Sequence, residues 1–255
     1  MRLQLCGRGK SGGGAVRTLV AVYTTRAGQT STHWAVCLAW TLAERARVLL
    51  VDCDMEGGTI ADLLLLRTDD RGIANCFGDR PVTASELTAQ AVTHPERESL
   101  RVVPGLSRSY GYEMSECLRK LAPALSGADE DVVIADLGHP LSHPGLRSPR
   151  AAAEAICSVF GRAFIVVRDE PALLSRSIAV LQAARPPHGE LIVCHQHGRA
   201  YRRAILESLG RNLPEMAVRD VWQWDEARAT RMAETGVPAA LPGVDRELNL
   251  ALVGA

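Results

Sequence analysis

Along nearly the whole chain, short runs of aliphatic and β-branched residues alternate with longer segments whose apolar positions recur at helical spacing. The runs that read as strands are Leu19–Tyr23, Val48–Asp52, Leu100–Val103, Val132–Asp136, Phe164–Val167, Leu191–Cys194 and Met216–Val221. Between them helical patterns cover Thr30–Glu44, Ala61–Leu66, Ala84–Val92, Glu113–Leu125, Arg150–Val159, Ala172–Ala184, Ala200–Leu209 and Asp225–Glu234. RVLLVDCD and DVVIADLG are apolar throughout their centres, as strands are when helices cover both faces of the sheet. This repeated alternation predicts an α/β fold, a doubly wound and mostly parallel sheet with helices on both faces. No internal repeat or interdomain linker is visible, so one domain over residues 17–255 is expected after a flexible glycine-rich leader over 1–16. In such sheets ligands sit beyond the carboxyl ends of the strands, which directs attention to the loops that follow them.

Composition narrows the function classes without choosing among them. Of the 255 residues, 47% are apolar, enough for a sizeable core, and the formal net charge is zero. No global basic field favours nucleic acid. The basic residues are almost all arginine, the exceptions being Lys10 and Lys120. No apolar run approaches membrane-spanning length and the amino terminus lacks a signal-peptide core. The seven cysteines are scattered and never spaced C-x-x-C, as expected of small buried residues in a reducing cytoplasm.

The stretch TTRAGQTS, residues 24–31, joins a strand to a helix, the arrangement that cradles phosphates. Gly28 permits close backbone approach, and Thr30 or Ser31 could present a hydroxyl to Mg²⁺. However, Gln29 stands where a lysine would bridge the phosphates. Tyr23, Thr25 and Arg26 occupy positions where a tight loop favours residues tolerant of positive φ. Arg26 is the one cation in the stretch and is the candidate to compensate. A second glycine-rich segment, GRGKS at residues 7–11, lacks the following helix and is read as part of the leader. Asp52 and Asp54 end one predicted strand and Asp136 another, so the three carboxylates are expected to converge near Gly28, where acidic groups position Mg²⁺ and water.

These segments, in this order, resemble the ParA/MinD family of deviant Walker A P-loop ATPases from Arg17 to the carboxyl terminus. TTRAGQTS matches the family loop K-G-G-x-G-K-[ST]-[ST], and VLLVDCDMEGG matches its VLLVDxDxQGG strand. FIVVRDEPALLSRSIAVLQAA and RDVWQWDEARATRMAETGVPAALPG resemble later family segments, and the stretch from Arg71 to Leu106 is similar to the CpaE/TadZ branch, which helps place pilus or secretion machinery. The resemblance implies that Thr30 matches the Mg²⁺-binding hydroxyl, Asp52 and Asp54 the acidic pair near the attacking water, and Asp136 the Walker B aspartate. It also implies that Thr24 replaces the signature lysine that reaches across a dimer, and Gln29 the loop lysine. With both cations gone, efficient turnover is not expected, since each 1.36 kcal/mol of lost transition-state stabilisation is about tenfold in rate. Lysine restored at 24 and 29 is expected to fold and to face Asp52 and Asp136.

The implied function is that of a cytoplasmic pseudo-ATPase acting as a positioning or assembly scaffold for a pilus, secretion, division or segregation machine. It would work through protein partners and a nucleotide-independent homodimer, with no cofactor, or Mg-ATP bound only weakly. The alternatives are a slow ATPase that partitions DNA or another cargo, and a nucleotide-independent DNA-associated regulator. Arg199, Arg202, Arg203 and Arg211, near one predicted helix, are the candidate DNA contacts. The tail DRELNLALVGA lacks the basic amphipathic stripe of a membrane anchor, so direct membrane insertion is not expected. Cys194, His195 and His197, with His139 and His143, have no recognised zinc spacing and read as loop residues. Trp34 and Trp40 read as core.

Overall fold

The computed structural model describes residues 18–106, 114–142, 148–195 and 199–241. The leader at 1–16, His143, His197, the side chain of Arg199 and the tail at 245–255 lie outside the described residues.

Eight strands form one sheet: β1 (Thr18–Thr24), β2 (Val48–Asp52), β3 (Val92–His94), β4 (Arg97–Val103), β5 (Val132–Asp136), β6 (Arg162–Arg168), β7 (Gly189–His195) and β8 (Ala217–Gln223). Their order is β3-β4-β2-β5-β1-β6-β7-β8. All pairs are parallel except β3 with β4. The chain builds outward from β1 through β2 to β4, returns to β5, and then crosses to β6 on the other side of β1. The strand order therefore reverses around β1, and the crevice at its carboxyl end is the expected ligand position for this topology.

Neighbouring residues of the central strands enter opposite cores. Val20, Val22, Val48 and Leu50 pack into one cluster, and Ala21, Tyr23, Leu49 and Val51 into the other. This two-sided burial is why the strands are apolar without alternation. One face is covered by a consecutive row of helices: α3 (Ala84–Ala89), α4 (Met114–Gly127), α5 (Pro149–Val159), α6 (Pro171–Ala184) and α7 (Arg199–Asn212). The other carries α1 (Ser31–Leu42), whose residues from Trp34 to Leu42 are all buried. A helix apolar all round must be covered on its outer side as well. The covering comes from α8 (Glu226–Thr235) and the strap after it, where the Leu241 amide donates to Thr41 Oγ1 at 3.0 Å. Trp34 stacks edge-on against Phe164 at 5.1 Å, and Trp40 lies between His94 and the Arg97 guanidinium, 3.9 Å from the ring centre. Both tryptophans are core.

Several boundaries differ from the sequence expectations. The helix expected over Ala84–Val92 stops at Ala89, and Val92–His94 becomes an antiparallel edge strand on β4. Two β-branched residues before the His94-Pro95 turn favour the strand. A short α2 spans Ile60–Leu63, because Leu65 turns to φ 48°. The first helix starts at Ser31, not Thr30, for a reason that lies in the site. The six described cysteines are free, and four of them are buried.

Candidate functional site

The loop after β1 is held shut by its own side chains. Gln29 is buried, and its side chain turns inward to α6 and the end of β6. Its Nε2 donates to Thr25 Oγ1 at 2.9 Å and Ser177 Oγ at 3.0 Å, while its Oε1 accepts from the Arg168 amide at 3.0 Å. The Thr25 hydroxyl in turn donates to Ser177 Oγ at 2.7 Å. The expectation that residue 29 faces the carboxylates is therefore corrected: the amide, with a donor and an acceptor, completes a network that only a neutral bifunctional group fits. Thr24 is also turned inward, its hydroxyl donating to the Val166 carbonyl at 2.7 Å, so nothing at this position reaches outward.

The backbone departs from a phosphate cradle at Thr30. It is left-handed, with φ 65° and ψ 16°, a strained conformation for a β-branched residue. Positive φ falls on Gly28 and Thr30, and not on Tyr23, Thr25 or Arg26 as the loop pattern suggested. The Thr30 hydroxyl donates to the Gln29 carbonyl and lies beside the Cys194 thiol. It is not aimed at the acidic cluster, which corrects its assignment as the Mg²⁺ ligand. The hydroxyl that reaches Asp136 belongs to Thr32. Ser31 is buried in the first turn of α1. Arg26 is exposed at the loop tip. The cation tied to the loop is Arg168, whose Nη1 donates to the Gly28 carbonyl at 3.1 Å.

The carboxylates do come together. Asp52 and Asp136 are register partners across β2 and β5. Asp52 is wedged between Gly58 and Gly105, and a Cβ on either would come within 2.7 Å of its carboxyl. Its Oδ2 accepts from the Ile60 amide at 3.0 Å and its Oδ1 from the Asp54 amide at 3.3 Å. Burial and, second, the negative charge of Asp136 push Asp52 up to about 8, against the pull of those two amides. Burial pushes Asp136 up to about 6, opposed by the Thr32 hydroxyl and by the Gly138 amide on Oδ1 at 3.2 Å. Asp54, half-buried, caps the Glu56 amide at 3.0 Å and lies against Gly138, where a Cβ would come within 2.5 Å of Asp54 Cγ. Both Asp52 oxygens thus accept from backbone amides, and burial holds its carboxyl above the usual carboxylate range.

Against the phosphate loop expected from the sequence, position 29 is a buried glutamine held by Thr25, Ser177 and the Arg168 amide, Thr30 is left-handed, and burial holds Asp52 above the usual carboxylate range. Sequence reasoning missed Arg168, Ser177 and Thr32. The RDE tripeptide at a strand end was the available signal for Arg168; the other two had none.

The remaining candidates separate. On α7 the Arg203 Nε pairs with Glu207 Oε1 at 2.8 Å, while Arg202 and Arg211 are exposed. His139 Nε2 meets Glu56 at 3.0 Å, and His195 Nδ1 lies 2.5 Å from Asp169 in the interior. Among the described residues no cluster of histidine, cysteine and acidic side chains could hold a metal ion, and no helix is long and apolar enough to cross a membrane.

No protein-family model and no curated sequence matches the chain. Solved structures do. The MinC:MinD cell division protein complex of Aquifex aeolicus is similar at TM-score 0.65 and 16% identity, over 87% of each chain. A ParA family ATPase from Chlorobium tepidum reaches 0.66 at 15% identity, over 93% of this chain and 98% of that one. The septum site-determining protein MinD of Pyrococcus horikoshii, complexed with Mg-ADP, gives 0.60 at 16% identity over 88% and 87%. At such identities the likeness shows the architecture, and that architecture is the ParA/MinD fold.

Proposed function

We propose that this chain is a pseudo-ATPase of the ParA/MinD fold, of the CpaE/TadZ sort, which acts as a cytoplasmic positioning or assembly scaffold through protein surfaces. The observation that carries the reading is the Gln29 network: the position that would contact phosphate is spent on fastening the loop to β6 and α6. A scaffold needs one stable conformation, and a loop pinned from inside supplies it without ligand. A structural neighbour that is a MinC:MinD complex lends support to a protein partner.

A second reading, a slow ATPase, rests on Arg168, a cation held at the loop through the Gly28 carbonyl. It would require Arg168 to leave the Gly28 carbonyl and Gln29 to leave its buried partners together. DNA contact through α7 ranks lower still, since Glu207 neutralises one of its arginines and the chain carries no net positive charge. Sedimentation velocity with and without Mg-ATP separates the first two. The scaffold reading expects one oligomeric state, a homodimer, in both conditions. A monomer that dimerises only when nucleotide is added would overturn it.

A further inference from the structure

The ends of β6 and β7 place an acid beside an imidazole on the face that α3–α7 cover. Ile165 and Val167 of β6, with Leu191 and Val193 of β7, enter the core on that side. Strand alternation then assigns the same side to Asp169 and His195. Arg168, one position earlier, turns the other way, to the Gly28 carbonyl. Asp169 and His195 are 1% and 3% exposed. His195 Nδ1 lies 2.5 Å from Asp169 Oδ2, a separation that needs a proton between them. Neither ring nitrogen has a further hydrogen-bond partner among the described residues. An Nε2–H would be a buried donor without an acceptor, so the ring keeps its single proton on Nδ1 and the pair carries the charge of the carboxylate.

Asp169 lines a cavity of about 340 Å³ between α6 and α7. Leu174 and Ile178 form one wall, and Ala204 and Ile205 the other. Along α7 the lining runs from Ala204 to Asn212, about 12 Å at the helical rise. Among the described residues that line the cavity Asp169 is the only charged one, and the rest are apolar, hydroxyl or amide.

We propose that this cavity binds a small primary amine with an unbranched apolar chain, the ammonium at Asp169 and the chain between the two helices. The charge fits, because a buried carboxylate among apolar walls favours a cation over a neutral or anionic guest. The head group fits, since a carboxylate has about four acceptor positions and the contact with His195 leaves room for an ammonium donor. The chain fits, because a hexyl group is shorter than the lined span of α7 and would bury its methylenes against Leu174, Ile178 and Ile205. No residue of the loop at 24–31 lines the cavity, so the proposal stands or falls apart from the nucleotide reading.

The test is calorimetric titration of the full chain with hexylamine, and in parallel with 1-hexanol and hexanoate. Hexylamine should saturate one site with a dissociation constant below about 1 mM, reasonable for so few atoms. Hexanol should bind at least about tenfold more weakly because it offers no charged donor, and hexanoate should give no saturable heat. Asp169→Asn keeps the shape and an oxygen toward His195 while removing the charge, and it should reduce hexylamine to the affinity of hexanol. Ala204→Leu fills the space from a helix that tolerates leucine and should weaken hexylamine about tenfold or more. Circular dichroism and the thermal midpoint establish that each variant is folded; should Asp169→Asn unfold, Ala204→Leu carries the test. Absence of saturable hexylamine binding to the parent, alcohol or carboxylate bound as tightly as the amine, or undiminished binding to either folded variant would each overturn the proposal.

Discussion

Gln29→Lys destabilises the protein by about 3 kcal/mol or more and does not create a nucleotide site. The side chain at this position is 1% exposed, so the ammonium would be buried. No carboxylate accepts a hydrogen bond from Gln29 Nε2; its acceptors are the hydroxyls of Thr25 and Ser177. The lysine has no acceptor to replace Oε1, leaving the Arg168 amide without its partner and the Arg168 guanidinium as a nearby like charge. Gln29→Met provides the scale. It removes the polar group without adding charge, Thr25 still donates to Ser177, and the cost is the Arg168 amide and the Ser177 hydroxyl that lose Oε1 as acceptor, about 1–2 kcal/mol. Urea denaturation of the parent and both variants measures the difference. Lysine tolerated as well as methionine would mean that the side chain at 29 swings out to solvent, and the pinned loop would be wrong.

Asp52→Asn has the opposite sign, and its effect appears only above neutral pH. The Asp52 carboxyl titrates near 4 when unfolded and near 8 when folded, so the folded state holds a proton that the unfolded state releases across that window. The stability associated with Asp52 is complete below pH 4 and declines as pH rises toward 8. Asp136, raised to about 6, adds a smaller decline in the same direction. Asparagine has the shape of the neutral acid, fits between Gly58 and Gly105, and keeps an oxygen for the Ile60 amide. At pH 4 the variant should be no more stable than the parent, because its Nδ2 cannot accept from the Asp54 amide as Oδ1 does. At pH 8 the variant should be more stable by about 2–3 kcal/mol, less than the full shift implies because water and relaxation soften the buried charge. Denaturation midpoints at half-unit pH steps test this. A variant weaker than the parent at pH 8 would mean that Asp52 is ionised and needed as a charge, as in a metal site.

The strands around β1 were legible because two-sided burial makes them apolar at every central position, as in VLLVD and VVIAD. The meeting of Asp52 and Asp136 followed from their places at the ends of those strands. β3 was not legible: it has three residues and acquires its identity only by pairing with β4. The inward turn of Gln29 was hidden for a related reason. Its partners Ser177 and Arg168 are 148 and 139 residues away, and no local pattern marks a glutamine that will find them. The left-handed Thr30 ran against expectation because propensity places glycine or asparagine there, and here the tertiary contacts of Gln29 and Cys194 outweigh it. Local rules failed where the loop departs from an ordinary strand-to-helix turn, which is where strained or functional segments tend to lie.

The most direct measurement is calorimetric titration of the purified chain with ATP in the presence of Mg²⁺. A loop fastened through Gln29, left-handed at Thr30 and without lysine at position 24 or 29 should give no saturable heat up to millimolar nucleotide. Saturable binding at low-micromolar affinity would contradict the account, because it would require the buried amide, the Arg168 contact and the left-handed residue to rearrange together around the phosphates.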